Sequence, residues 1–201
     1  MLSRKDGCPV NTNRFSTRRL ALLGMMAALV FAGNYARIVL PLSIGSQTSF
    51  TLANIFCCLS GLILGPLGGL AAGVGSLLYD LTDPRFVSDC WITFLTKGAM
   101  GLATGLVVSG SLKEDRLTYG RALAGTAVGC VAYYILYFAK TFFYTGLLKQ
   151  GLPAPGAWLL VIEKIPASVF NAAVALIAAP PLVLAVIAAL KRSNLDRMLR
   201  E

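Results

Sequence analysis

The sequence predicts an all-α membrane protein of six transmembrane helices, with both termini cytoplasmic and with short second and third spans. Three observations predict it: an excess of apolar residues, their division into six stretches, and a one-sided distribution of Lys and Arg. Of 201 residues, 56% are apolar and 13% charged, against about 45–50% and about 25% in average soluble domains. Mean hydropathy is +0.71. So few charges cannot cover the surface of a soluble protein this size, so the apolar excess is expected to face lipid. A spanning helix takes about 20 residues. The chain therefore has room for six, and no soluble catalytic or nucleotide-binding domain is expected beside them.

The first span is expected from about Leu20 to Leu40, ending at Pro41. The second, Ser49 to Leu64, and the third, Leu67 to Leu81, are joined by Gly65-Pro66, and neither is long enough for an ordinary bilayer. The fourth runs from Ile92 to Val108 and the fifth from Ala122 to Leu147, long enough to tilt. The sixth, Ile165 to Leu190, carries Pro180-Pro181, which predicts a kink or break. A short apolar helix, Ala157 to Ile162, is expected in the loop before it. Residues 20–190 then form the membrane domain, between cytoplasmic tails at 1–19 and 191–201.

Orientation follows from the positive-inside rule. With both ends inside, the cytoplasmic side collects Arg4, Lys5, Arg14, Arg18, Arg19, Lys113, Arg116, Arg121, Lys191, Arg192, Arg197 and Arg200. The outer side keeps Arg85, Lys149 and Lys164, with Arg37 at the boundary. The net charge of +9 is thus a topology signal, and no nucleic-acid partner is expected. The five cysteines show no metal-site or disulfide spacing, and there is no histidine. No P-loop, HExxH or GxSxG motif occurs, so no cofactor and no enzymatic activity are expected.

Ionisable groups inside spans are costly and usually face a bundle interior or a wet cavity. Arg37, Asp80, Lys97, Lys140, Glu163 and Lys164 all fall in the outer half of the predicted bundle. On span five, Tyr133, Tyr137, Lys140, Thr141 and Tyr144 share one helical face. On span six, Glu163, Ala167, Phe170 and Asn171 share another, and on span four Thr93, Lys97 and Thr104 do so. Rings, amides and fixed charges at one depth suit a flat, ring-containing small molecule. The candidate binding set is Asn34, Arg37, Gln47, Asp80, Trp91, Lys97, Tyr133, Tyr137, Lys140, Glu163 and Asn171, with Asn34, Arg37 and Gln47 as its roof. Blander roles remain open. Glu163 and Lys164 fit a solvated loop pair, Lys97 fits a partner of Asp80 or Asp83, and Asp80, Asp83 and Asp89 fit a loop lid better than a metal centre.

Small residues recur every four positions at Gly24, Ala28, Ala32 and Ala36, and again at Gly61, Gly65, Gly69 and Gly73. Such stripes let backbones approach closely in lipid, within one bundle or against a second membrane protein.

The segments LALLGMMAALVFAGNYARIVLPLSIG, NIFCCLSGLILGPLGGLAAGVGSLLYDL and WITFLTKGAMGLATGLV carry a family resemblance. So does the last sixth of the chain, with Asn171 and Pro180-Pro181. The chain resembles the substrate-binding S component of energy-coupling-factor (ECF) transporters, in the riboflavin and hydroxymethylpyrimidine branch. The resemblance implies a multi-pass protein of the bacterial cell membrane that binds a vitamin or heterocyclic precursor near the outer face. The site would lie among spans four to six, under the loop after span one. It also implies a membrane coupling protein (the T component) and two cytoplasmic ATPases as partners. The family's AxxxA motif is matched at Gly24 and Ala28, with Gly for the first Ala, or strictly at Ala28 and Ala32. A stand-alone secondary carrier or small channel is the alternative from another class.

Overall fold

A computed structural model describes residues 17–41, 47–113 and 117–192. Both predicted tails lie largely outside the described residues, as does Arg116.

Among the described residues there are six α-helices and one two-stranded hairpin. Helix α1 spans Thr17–Tyr35. The chain then turns extended as β1, Arg37–Pro41, and returns as β2, Gln47–Thr51, antiparallel with Arg37 opposite Thr51 and Val39 opposite Ser49. This corrects the purely helical expectation. Ile38-Val39 on one strand and Thr48 and Thr51 on the other favour extended backbone, so span one stops at Tyr35. Thr51 then accepts the Ala53 N–H at 3.1 Å and opens α2, Ala53–Leu64.

A single 3-10 turn, Gly65–Leu67, leads into α3, Gly68–Thr82. Residues 53–82 are together long and apolar enough to cross a membrane, but they are not one rod. Gly65 takes φ +63°, a backbone that glycine adopts without a Cβ clash. Cys57 Sγ and Ser76 Oγ then meet at 4.0 Å across nineteen residues, a separation of about 28 Å in a straight helix. The two helices therefore fold back as a hairpin. At 12 and 15 residues they are about 18 and 22 Å long, short of a hydrocarbon core of about 30 Å.

Helix α4 spans Cys90–Lys113 after a 3-10 turn at Val87–Asp89. Helix α5, Tyr119–Ala139, continues as ten residues of π-helix, Lys140–Lys149. Helix α6 spans Ala154–Arg192 with Pro166, Pro180 and Pro181 inside it. Segments 87–111, 119–149 and 154–190 are each long and apolar enough to cross a membrane, while Arg19–Tyr35 is a shorter apolar helix. Two sequence expectations change here. The separate helix at 157–162 is the first turns of α6, and of the kink or break expected at Pro180-Pro181 the break does not occur, since the helix runs through both prolines. Tertiary neighbours and local adjustments make proline tolerable in membrane helices.

Packing explains the composition. Leu106, Ile135 and Ile177 point outward at 57%, 64% and 73% exposure, while Ser60, Ser76, Thr104, Thr126 and Thr141 are wholly buried. Most of these interior hydroxyls return their protons to the same helix, as Thr104 does to the Met100 carbonyl and Thr126 to that of Ala122, both at 2.9 Å. An apolar outside around hydroxyl-bearing contacts is what lipid solvation selects. Helix α2 sits at the centre, with ten of its twelve residues buried.

The second stripe of small residues lies inside the bundle. A Cβ at Gly61 would stand 2.4 Å from the Gly101 carbonyl oxygen, and one at Gly69 2.7 Å from that of Gly98. The α2–α3 hairpin thus packs backbone to backbone on α4. The first stripe is different. Nothing lies within 4 Å of a Cβ built at Gly24, and Ala28 and Ala32 are exposed.

Candidate functional site

A cavity of about 500 Å³ opens where the β-hairpin meets the near ends of α3 to α6. Each element reaches it for a local reason. The hairpin covers one side with Arg37, Ser49 and Thr51. It is held down by α6: Thr51 N–H donates to Asn171 Oδ1 at 3.0 Å, and Asn171 Nδ2 donates to the Ser49 carbonyl at 2.8 Å. Phe50 rests edge-on against Phe170, with centroids 4.9 Å apart. Asn171→Ala is expected to release the strand. Two part-buried hydrogen bonds at about 1 kcal/mol each correspond to amide exchange over residues 47–51 faster by tenfold or more. Unchanged exchange would show that Phe50 alone docks the hairpin.

Arg37 is fixed by its surroundings. Its guanidinium lies 4.7 Å from the Tyr79 ring centroid and 4.9 Å from that of Phe86, and it donates to Asn34 Oδ1 at 2.9 Å. Its Nε is buried without a partner among the described residues. Asn34 is 1% exposed and stands behind Arg37, donating to the Val30 carbonyl at 2.9 Å. It orients the arginine and does not line the cavity. Gln47 opens β2, and its side chain lies outside the described part of the structure.

The floor is aromatic. Tyr133, Tyr134 and Tyr137 line the cavity, with Tyr133 and Tyr137 stacked at 5.6 Å and 21°. Two ammonium groups lie over these rings: Lys97 Nζ 4.5 Å from the Tyr133 centroid, and Lys164 Nζ 5.5 Å from that of Tyr137. Lys97 also donates to Asn54 Oδ1, and Asn54 Nδ2 donates to the Tyr134 hydroxyl at 3.3 Å. The partner of Lys97 is therefore an amide on α2, not Asp80 or Asp83. Asp80, 3% exposed, faces the Thr93 hydroxyl under the opposing charges of Arg37, Lys140 and Lys97.

At the rim, Asp89 binds Lys140 at 2.7 Å and Lys149 at 2.9 Å, and Lys149 donates to Ser88 Oγ at 2.9 Å. The π-helix makes this possible. In an α-helix residues 140 and 149 point to opposite sides, nine steps of 100° apart. At about 4.4 residues per turn the i→i+5 helix brings them back to one side. Thr145 joins them on the wall, while Tyr144, expected on that stripe, packs edge-on against Trp91 at 6.1 Å. Trp91 is 54% exposed and outside the lining.

Beyond the rim, Arg85 clamps Asp83 through two hydrogen bonds, 2.9 and 2.6 Å. These bonds hold the Asp83 carboxyl below the usual carboxylate range. Their contribution is present above the ordinary carboxylate pKa and fades as pH falls through the depressed one.

Of the expected set, the cavity gathers Arg37, Asp80, Lys97, Tyr133, Tyr137, Lys140 and Asn171. Glu163 is absent from the lining, and its Oε2 is buried without a partner among the described residues. Its neighbour Lys164 lines the wall with Ser168 and Asn171. That i, i+4, i+7 series was available in the sequence, as was Asn54, an amide opening an otherwise apolar helix. Ser49, Thr51 and Tyr134 carried no comparable signal.

The family model for the S component of ECF-type riboflavin transporters matches residues 14–189. The chain is also 32% identical over 111 residues to an uncharacterised protein of Pyrococcus woesei, named for the gap 3′ region. That match covers 55% of this chain and 68% of the relative. Multi-pass helical architecture, a polar cavity in an apolar shell and the extent of the family match agree: the chain belongs to the S components of ECF-type riboflavin transporters, integral membrane subunits of vitamin-type importers.

Proposed function

We propose that this chain captures a flat, ring-containing vitamin or vitamin precursor in the tyrosine-floored cavity and delivers it to an ATP-driven partner module. The observation that carries the reading is the cavity. It has the volume of a small-ligand site and combines three tyrosines with Lys97, Lys140 and Asn171. On this reading the substrate enters from outside, both termini being cytoplasmic, which the distribution of Lys and Arg supports. The reading counts six crossings, two of them the short α2 and α3 of the hairpin, within a single membrane domain over residues 20–190. Membership of the family supports a membrane coupling protein and two cytoplasmic ATPases as partners, the ATPases supplying the phosphate-binding loop that has no motif in this sequence.

The coupling protein docks on α1. Gly24, Ala28 and Ala32 face outward there, whereas Gly61, Gly69 and Gly73 are packed against α4. Close helix approach needs small side chains, and an indole at position 28 removes it. Ala28→Trp is expected to lower uptake and co-purification of the coupling protein at least tenfold, with ligand affinity unchanged. The check is paired uptake and pull-down assays, with binding measured in detergent. Full uptake by the variant would move the docking face elsewhere.

A further inference from the structure

The cavity carries more positive charge than its own acids answer. Among the described residues, and with Arg85 set aside because it is paired to Asp83, Arg37, Lys97, Lys140, Lys149 and Lys164 line it against Asp80 and Asp89, a formal excess of three. The rim uses part of this, because Asp89 is already shared between Lys140 and Lys149. Deeper in, Lys97 is 4% exposed and its hydrogen-bond partner is a neutral amide. Lys164 is 6% exposed, sits over a tyrosine ring, and makes no hydrogen bond or ion pair with another described side chain. The Arg37 Nε is buried with no partner among the described residues. Asp80 faces both Arg37 and Lys97, one carboxylate for two cations. Cations held out of water with too little counter-charge are unfavourable, and a ligand that supplies the missing charge recovers that free energy as affinity. A neutral ring compound does not.

Resting on the transporter reading, we propose that the solute taken by this site is an anion: a flat ring bearing a carboxylate or phosphate group. The ring lies along Tyr133 and Tyr137, and the anionic group is received by Lys164, Lys97 and Arg37. Charge-assisted bonds to carboxylate or phosphate are about twice as strong as neutral ones. The geometry therefore makes the charge of the solute, more than the identity of its ring, the main discriminator. Lipid phosphate offers the same charge without a ring, so the tyrosine floor favours a ring compound.

The test uses the full chain in phosphatidylcholine nanodiscs and three matched pairs differing by one anionic group: riboflavin and its 5′-phosphate, uracil and orotate, nicotinamide and nicotinate. Calorimetric titration is expected to give at least one anionic member binding tenfold or more tighter than its neutral partner. Lys164→Gln is expected to shrink that ratio below threefold, and Lys164→Arg to restore it. Asp89→Asn, which frees Lys140 and Lys149, is expected to raise the ratio, a change that misfolding cannot imitate. Equal or tighter binding of the neutral members overturns the proposal while leaving the transporter reading intact. A ratio indifferent to both substitutions overturns it as well. Binding by no anionic member, or phosphatidylglycerol competing where no ring compound binds, also rejects it. The transporter reading itself fails separately, if no coupling protein co-purifies with the unaltered chain.

Discussion

Methionine in place of Lys97 is expected to weaken ligand binding about a hundredfold while leaving thermal stability unchanged or raised. The ammonium lines the cavity, touches Asn54 and lies over Tyr133, so a bound solute loses a charge-assisted contact worth about 1.5–3 kcal/mol. The fold loses little. Methionine keeps the unbranched stem, and Asn54 still holds Tyr134 through its Nδ2. A desolvated charge also leaves the interior, which relieves an unfavourable term. Titration with the tightest ligand of the matched pairs, beside a melting curve in the same detergent, checks both halves. Affinity within threefold of the unaltered protein would remove Lys97 from the binding set.

The second large effect is on folding. Gly105→Ala adds one methyl group where α4 crosses the α2–α3 turn. Its Cβ would stand 2.1 Å from the Gly65 carbonyl oxygen, 2.2 Å from the Gly65 carbonyl carbon and 2.6 Å from Pro66 N. All three are backbone atoms at a turn already held by its own φ, so no side chain can swing aside. Overpacking costs about 1–3 kcal/mol where rotamers can adjust, and the top of that range or more is expected here. Thermal unfolding in detergent should show a fall of several degrees and a lower folded yield. Gly24→Ala is the control, because open space surrounds that position. Equal stability of the two variants would mean that the α4 seam is looser than its geometry.

Much of the site was legible in the sequence because charges in apolar segments have few stable places to go. Lys97, Lys140, Asp80 and Arg37 could be assigned to a shared wet interior without knowing the packing. The errors were of rotation. On α6, Glu163 with Phe170 and Lys164 with Ser168 both satisfy a 3.6-residue period. The stripes differ by one step of about 100°, and the clamp of Asn171 on Ser49 and Thr51 goes with the second. On α5, extrapolation of the α-helical stripe to Tyr144 failed because the i→i+5 segment begins at Lys140. No residue in KTFFYTGLLK announces that geometry, and the pairing of Asp89 with both Lys140 and Lys149 accompanies it. The sequence assigns most of the two strands between α1 and α2 to the end of span one and the start of span two, because at five residues each they only continue the neighbouring apolar stretches. Their anchor, Asn171, lies about 120 residues away.

Composition and charge order by themselves determined that the chain is a helical membrane protein, with its titratable groups concentrated toward one end. Both are properties of solvation and hold whatever the helix rotations are. The tertiary structure decided which lysine faces the cavity, which glycines are buried in the α4 seam and which small residues are left facing outward. Those choices depend on contacts between distant segments. The fold-back at Gly65, the π-helix after Ala139 and the clamp of Asn171 on β2 set them, and local periodicity is blind to all three.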